Sequence, residues 1–188
     1  MKQCKVGILG ATGAVGQEML KILQEYEIPV EELRLLASAR SAGEKVLFNG
    51  REVVIQEATD ESFEGLDFVL GAVEGPMSQR FAPAIKKSGA VYIDNSSAFR
   101  MDPDVPLVVP EINGEDALQH KGIIANPNCC TIIALMAVAG INKISPIESM
   151  IAWPATTEPY QRQTKPAGAS SAMLPITWHL RTTAILTV

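Results

Sequence analysis

This 188-residue sequence is short of several features, and each shortage excludes a class of protein. Three cysteines, two of them adjacent at Cys129 and Cys130, suit neither a disulfide framework nor a zinc site. Basic residues are outnumbered, 16 Lys and Arg against 21 Asp and Glu, with no basic cluster to track a phosphate backbone. Nucleic-acid binding is therefore not expected. The longest apolar run, Ile132 to Ile141, falls well short of the about 20 residues that span a bilayer, so no membrane segment is expected. The opening MKQCKVGIL has no apolar h-region or cleavage site and runs straight into a strand pattern. These shortages predict a cytoplasmic, thiol-reduced, soluble α/β protein, long enough for one domain and a fraction of a second.

What the chain does have begins at its N-terminus. Cys4, Val6, Ile8 and Leu9 form a short apolar run before Gly10. Gly10, Thr12, Gly13 and Gly16 read as a tight turn, and Gln17 to Leu23 as a helix. A strand, a glycine turn and a helix open a dinucleotide-binding unit. Glycine permits positive φ there and lets backbone N–H groups approach a pyrophosphate at the positive end of the helix dipole. Gly10, Thr12, Gly13, Ala14, Val15 and Gly16 are thus the candidate cofactor-binding residues. Their spacing is G-x-x-G-x-x-G, not G-x-G-x-x-G, so the motif alone leaves open a plain strand–turn–helix corner.

Glu32 to Ser38 reads as the buried second strand. Domains that bind NAD place a carboxylate at the end of that strand for the ribose 2′-hydroxyl. Here Ser38, Arg40 and Ser41 stand there, while Glu31 and Glu32 read as preceding the strand, at its wrong end. An arginine between two hydroxyls suits a 2′-phosphate, which tilts the reading toward NADP. Arg40 alone reads equally well as a solvated loop charge.

Val46 to Ala58 reads as a hairpin around Asn49-Gly50, and Asp67 to Val73 as a central parallel strand ending in a loop with Gly75 and Pro76. Met77 to Ser88 carries Phe81, Ala84 and Ile85 on one helical face, and Ala90 to Asp94 is the next strand. This alternation predicts a doubly wound parallel sheet. DNSSAFRM follows at the functional edge of the sheet. Asn95 and the two serines after it offer hydrogen bonds, and Arg100 offers a planar fork for a carboxylate or phosphate, unless it pairs with Asp102 or Asp104.

Gly122 to Ala125 is a short strand leading into Asn126-Pro127-Asn128-Cys129-Cys130-Thr131. Pro127 and Asn128 halt it, Asn128 is able to cap, and a helix starts at Cys129 and runs to about Ile141. A thiolate at a helix N-terminus is stabilised by the dipole, which makes Cys129 the candidate nucleophile. Cys130, inside an apolar helix, and Cys4, in the first strand, read as buried small hydrophobes. His120 reads as solvent-exposed.

GATGAVG, ASARSAG, DNSSAFRM and NPNC, in that order and spacing, resemble bacterial aspartate-semialdehyde dehydrogenases from residue 1 to about 151. The N-acetyl-glutamyl-phosphate reductases share the glycine turn and a cysteine, but theirs follows Pro-Gly, whereas Cys129 follows Pro127-Asn128. Cys130-Thr131 replaces the family's Ser-Thr. The resemblance implies a Rossmann-type NADP-binding domain over 1–128, with the cysteine helix and the start of a catalytic and dimerisation domain over 129–151. It implies NADP-dependent conversion between aspartyl phosphate and aspartate semialdehyde, with phosphate as co-product, toward lysine, methionine and threonine. The covalent adduct would form on Cys129, with Arg100 and Asn95 as substrate-binding positions and Ser38, Arg40 and Ser41 near the 2′-phosphate. Full-length members are homodimers.

The resemblance stops near Ile151. Members are about twice this length, and their base histidine lies beyond the cysteine helix. Where V-S-T-Y-Q-A-V-S-G-A-G is expected, the chain reads Ala152-Trp153-Pro154-Ala155-Thr156-Thr157-Glu158-Pro159-Tyr160-Gln161-Arg162, which has neither helical nor strand periodicity. Codons back-translated from Trp153 and read one base earlier permit A-S-N-Y-R-A-V-S-A. The expectation is that 152–188 is an aberrant, poorly ordered tail, that Trp153 to Val188 is out-of-frame translation after a frameshift, and that His179 has no catalytic role. Besides the dehydrogenase, two other readings remain: an inactive nucleotide-binding fragment of it, and an enzyme of the N-acetyl-glutamyl-phosphate reductase type.

Overall fold

Leu35 and Leu36 are adjacent, and both are fully buried, which a strand achieves only when both faces of its sheet are covered. They lie in β2 (Val30–Ala37), beside β1 (Cys4–Leu9), where Ile8 and Leu9 repeat the pattern. Ile8 and Leu35 pack with Val6, Leu20, Leu23 and Ile55, whereas Leu9 and Leu36 pack with Phe63, Val69, Phe81, Ile85 and Tyr92. One apolar core therefore lies on each face of the sheet. The computed structural model describes residues 3–147, 150–152 and 176–178.

The remaining strands of this sheet are β3 (Lys45–Phe48), β4 (Arg51–Glu57), β5 (Phe68–Gly71), β6 (Val91–Asp94) and β7 (Ile123–Ala125). Their order across the sheet is β3-β4-β2-β1-β5-β6-β7, all parallel but for the β3–β4 hairpin turning at Asn49-Gly50. The chain moves outward from β1 to β2 and then crosses back to β5 on the other side of β1. The doubly wound sheet read from the sequence is thus present, with its topological switch point between β1 and β5.

The helices follow their apolar stripes. In α1 (Ala14–Glu25) Gly16, Leu20 and Leu23 are buried, four and three residues apart. It begins three residues earlier than the sequence reading because Gly13 serves as its extended N-cap. In α2 (Gly75–Ser88) the buried stripe is Ser78, Phe81, Ala82 and Ile85, with Ala84 only half-buried. Gly75 and Pro76, read from the sequence as loop, form its first turn, where proline sacrifices no helical hydrogen bond. Gly89 closes it in the left-handed conformation, with Lys86 and Lys87 at the negative end of its dipole. A short α3 (Pro110–Asn113) precedes β7.

The chain divides into two compact units, Met1–Asn128 and Cys129–Val188. The second contains α4 (Cys129–Ile144) and the antiparallel pair β8 (Met150–Ala152) and β9 (Ile176–Trp178). Within the segment read as an aberrant tail, Ala152 pairs with Ile176 at the end of this two-stranded ladder. Residues 153–175 and 179–188 lie outside the described residues, and with them most of the frameshift reading, His179 included.

Candidate dinucleotide and substrate site

Where β1 ends, the backbone at Gly10 turns with φ +91. A Cβ there would lie 2.4 Å from the carbonyl oxygen of Ala72, just beyond β5, and a Cβ on Gly16 would lie 2.3 Å from that of Gly10. Real Cβ atoms never approach so closely, so the chain itself demands glycine at both positions. Gly13 is different. Its φ of −74 suits any residue, and a Cβ would meet only the Gly10 carbonyl oxygen at an ordinary 3.5 Å. Among the described residues no atom needs the space at Gly13; a ligand pressed against the backbone would.

The turn is tied down at several points. Gly10 and Ala11 donate their backbone N–H groups to the Leu36 carbonyl at 2.8 and 3.1 Å, and Ala72 donates to Leu9 at 2.8 Å. The Gln17 side-chain amide holds the Ala11 carbonyl at 2.7 Å. Thr12, Gly13, Ala14 and Val15 are exposed on this scaffold at the N-terminus of α1, whose first-turn N–H groups have no intrahelical acceptor. The exposed rim, the open face at Gly13 and the helix terminus fit a pyrophosphate.

Because Leu36 anchors the turn, the end of β2 lies beside it. Ser38 and Arg40 are exposed there, in a single 3-10 turn where Ser41 donates its N–H to the Ser38 carbonyl at 3.0 Å. Ser41 itself is buried. Glu31 and Glu32 lie within β2, not before it, but at the end away from the turn, so no carboxylate faces the Ser38–Arg40 edge from this strand.

On the other side of β5, the half-buried Asn95 uses both ends of its side-chain amide in contacts within the protein. Its amide nitrogen donates to the Gly71 carbonyl at 2.9 Å, and its oxygen accepts from the Asn126 amide at 2.5 Å. Arg100 pairs with neither Asp102 nor Asp104, the latter being held by Lys121 at 2.6 Å. Instead its Nε donates to the Asn126 carbonyl at 3.0 Å and an Nη to the Asn95 carbonyl at 2.8 Å. The guanidinium is therefore fixed by backbone, half-buried, and its other Nη has no acceptor among the described residues. Arg100, Asn95 and Asn126 form one cluster at the C-terminal edge of β6 and β7.

Sequence reasoning missed Asp94 beneath this cluster. Its carboxylate is fully buried: Oδ1 accepts from Ser78 Oγ at 2.8 Å, the Ser96 N–H at 3.1 Å and the Tyr92 hydroxyl at 3.3 Å, and Oδ2 accepts from Ser96 Oγ at 2.7 Å. The strand's period of two held the signal, since Asp94 shares the face of buried Tyr92. Burial raises the Tyr92 phenol above its ordinary value, against the opposing pull of its Ser78 hydrogen bond.

Cys129 is the first residue of α4 in the second unit and is exposed. Cys130 is exposed as well, contrary to the buried position expected of it. Its thiol is pushed up by a hydrogen bond to Cys129 and then by charge on that neighbour. Cys4 is half-buried, not core; its thiol donates to the Pro29 carbonyl at 3.7 Å and is pushed up by burial and then by Asp67. His120 also departs from expectation, being half-buried with Nδ1 accepting the Gly122 N–H at 3.0 Å. Among the described residues no three His, Cys, Asp or Glu side chains gather as metal ligands, and no helix is long and apolar enough to cross a membrane.

A sheet wound both ways from a glycine turn, with the switch point at that turn, defines a dinucleotide-binding domain of the Rossmann type. Residues 5–120 match the family model of the semialdehyde dehydrogenase NAD-binding domain. The chain belongs to the aspartate-semialdehyde dehydrogenase family. It is 52% identical over 147 residues to the aspartate-semialdehyde dehydrogenase of Synechocystis, covering 78% of this chain and 44% of that one. Aspartate semialdehyde dehydrogenase II of Vibrio cholerae, solved complexed with ASA, superposes with a TM-score of 0.74 at 45% identity, over 78% of this chain and 49% of that one. The Candida albicans enzyme, solved with NADP, gives 0.63 at 26% identity, over 79% and 48%. The chain thus spans under half the length of these relatives.

Proposed function

We propose that this chain is the cofactor-binding part of an NADP-dependent aspartate-semialdehyde dehydrogenase. The reaction is the reductive dephosphorylation of aspartyl phosphate to aspartate semialdehyde, a cytoplasmic step toward lysine, methionine and threonine, with Cys129 as nucleophile and a homodimer as the working assembly. The observation that carries the reading is the glycine turn, closed by the chain's own backbone at Gly10 and Gly16 but open to a ligand at Gly13. The names of the similar enzymes support the substrate and the cofactor.

In this reading the first-turn N–H groups of α1 hold the pyrophosphate, while Ser38, Arg40 and Ser41 receive the 2′-phosphate through charge-assisted hydrogen bonds. Arg100 directs its unused Nη at the substrate phosphate, and Asn95 braces it through backbone and amide contacts. The Cys129 thiolate attacks the acyl carbon; a C–S bond forms, the C–O bond to phosphate breaks, and phosphate departs with that electron pair. Nicotinamide, when bound, would supply the hydride that brings the acyl carbon to the aldehyde level. Cys129 would leave as thiolate, its sulfur keeping the electron pair of the broken C–S bond.

The test is turnover of aspartate semialdehyde with phosphate and NADP, followed at the nicotinamide absorbance. Cys129→Ser should fall to background while its NADP affinity stays within about twofold of wild type. Substantial activity in Cys129→Ser removes Cys129 from the mechanism. NADP binding by the wild-type chain without turnover assigns it a binding role only, and turnover of N-acetylglutamate semialdehyde instead would reassign the substrate.

A further inference from the structure

A buried carboxylate without a cationic partner is costly, and such groups persist where their hydrogen bonds hold something in place. Asp94 is in that situation: it accepts four hydrogen bonds, and none of the ion pairs among the described residues involves it. Two of its donors belong to Ser96, whose Oγ passes the constraint on by accepting the Ala98 N–H at 3.1 Å. The Asp94 backbone carbonyl accepts the Asn126 N–H at 2.8 Å. The Asp94 carboxylate therefore fixes the loop that carries Asn95, while its backbone pairs with the turn that carries Asn126. Those are the two residues whose carbonyls hold the Arg100 guanidinium. Gly71 is shaped to the same cluster, since a Cβ there would lie 2.5 Å from the Tyr92 hydroxyl.

We propose that Asp94 is a positioning residue whose carboxylate aims the free Nη of Arg100 at its anionic ligand, acting through the Ser96 loop and the Asn95 carbonyl it carries. This rests on the reading of Arg100 as the grip for a phosphate or carboxylate. Asp94 touches no ligand itself. Asparagine in its place keeps the shape and one acceptor oxygen but turns a second acceptor into a donor, so Ser96 must reorient while the strand stays packed.

The experiment has two readouts on the full chain. The first is the arginine Nε–H region of a ¹⁵N NMR spectrum, in which Arg100 is assigned by its disappearance in Arg100→Lys. Its bond to the Asn126 carbonyl should make this proton slow to exchange with water. In Asp94→Asn the exchange should quicken at least roughly tenfold while the thermal transition remains cooperative. Ser96→Ala, which removes only the Oγ link, should move it in the same direction and serves if Asp94→Asn does not fold. An unchanged Arg100 exchange rate in both variants overturns the inference.

The second readout is calorimetric titration with inorganic phosphate and, separately, with NADP. Phosphate affinity should fall roughly ten- to hundredfold in Asp94→Asn, the scale expected from small misplacements of a binding group, with NADP affinity unchanged. The double variant with Arg100→Lys should be no weaker than Arg100→Lys alone. Phosphate binding that Arg100→Lys leaves intact, or that wild type lacks, refutes the anion role of Arg100 and with it the aiming role. Loss in Arg100→Lys but not in Asp94→Asn refutes the inference alone.

Discussion

Three glycines in one turn have different reasons to be glycine, and substitution separates them. Gly10→Ala forces a side chain onto φ +91 against the Ala72 carbonyl. Strain of that kind costs about 1–3 kcal/mol for the backbone alone, and the clash adds to it. Gly13→Ala meets neither problem. Its stability should stay within about 1 kcal/mol of wild type, the lost freedom of the unfolded chain offsetting the poorer N-cap. Its dinucleotide affinity should nevertheless fall at least about tenfold, because the Cβ occupies the surface the pyrophosphate needs. Denaturant titration beside ligand titration of the two variants checks this; equal loss of stability in both would mean that Gly13 is structural.

The same scale shows where sequence reading succeeds. Gly10 and Gly16 were legible because backbone constraints repeat between proteins. Asn95 and Arg100 were legible as types but not as partners, since each also bonds to Asn126, about thirty residues on, and Asn95 to Gly71 as well. Asp94 was passed over because a carboxylate at a strand end reads as solvated until its neighbours are known.

At the scale of elements, α2 and β6 are joined by the Ser78–Tyr92–Asp94 hydrogen bonds and by packing around Ile85. Ile85 is fully buried, so Ile85→Ala should cost about 2–5 kcal/mol in denaturant unfolding. A loss under 1 kcal/mol would contradict the placement of α2. The Tyr92 phenol, its pKa raised in the fold, favours the folded state while protonated. That contribution is complete below about pH 10, the ordinary tyrosine value, and vanishes as pH climbs through the raised folded-state value. Tyr92→Phe should therefore flatten the alkaline fall in stability that wild type shows above about pH 10, and a fall of equal steepness in both would assign it elsewhere. Element order and strand positions were legible from alternation and breakers, but ends shifted: Pro76 reads as a breaker until it is seen in a helix's first turn.

At the scale of the whole molecule, the sheet's winding decides where a ligand binds. Both halves present their C-terminal strand ends at one edge, with the glycine turn at the switch point and Ser38 and Arg40 beside it. The family resemblance read from four motifs matches the family that residues 5–120 belong to. The second unit carries an apolar helix, α4, with Ile133, Met136, Ile141 and Ile144 exposed along it at helical spacing. Surface of that kind promotes association. Ile133→Lys with Ile144→Lys should lower light scattering at equal concentration without changing NADP affinity, and unchanged scattering would acquit the helix.

Calorimetric titration of the purified chain with NADP and with NAD shows whether this edge holds a phosphorylated dinucleotide. NADP should bind about ten- to hundredfold more tightly, which corresponds to roughly 1.5–3 kcal/mol from hydrogen bonds to a charged group, and Arg40→Ala should bring the two affinities together. Binding of NAD as tight as that of NADP, or a ratio that Arg40→Ala leaves unchanged, would contradict the account.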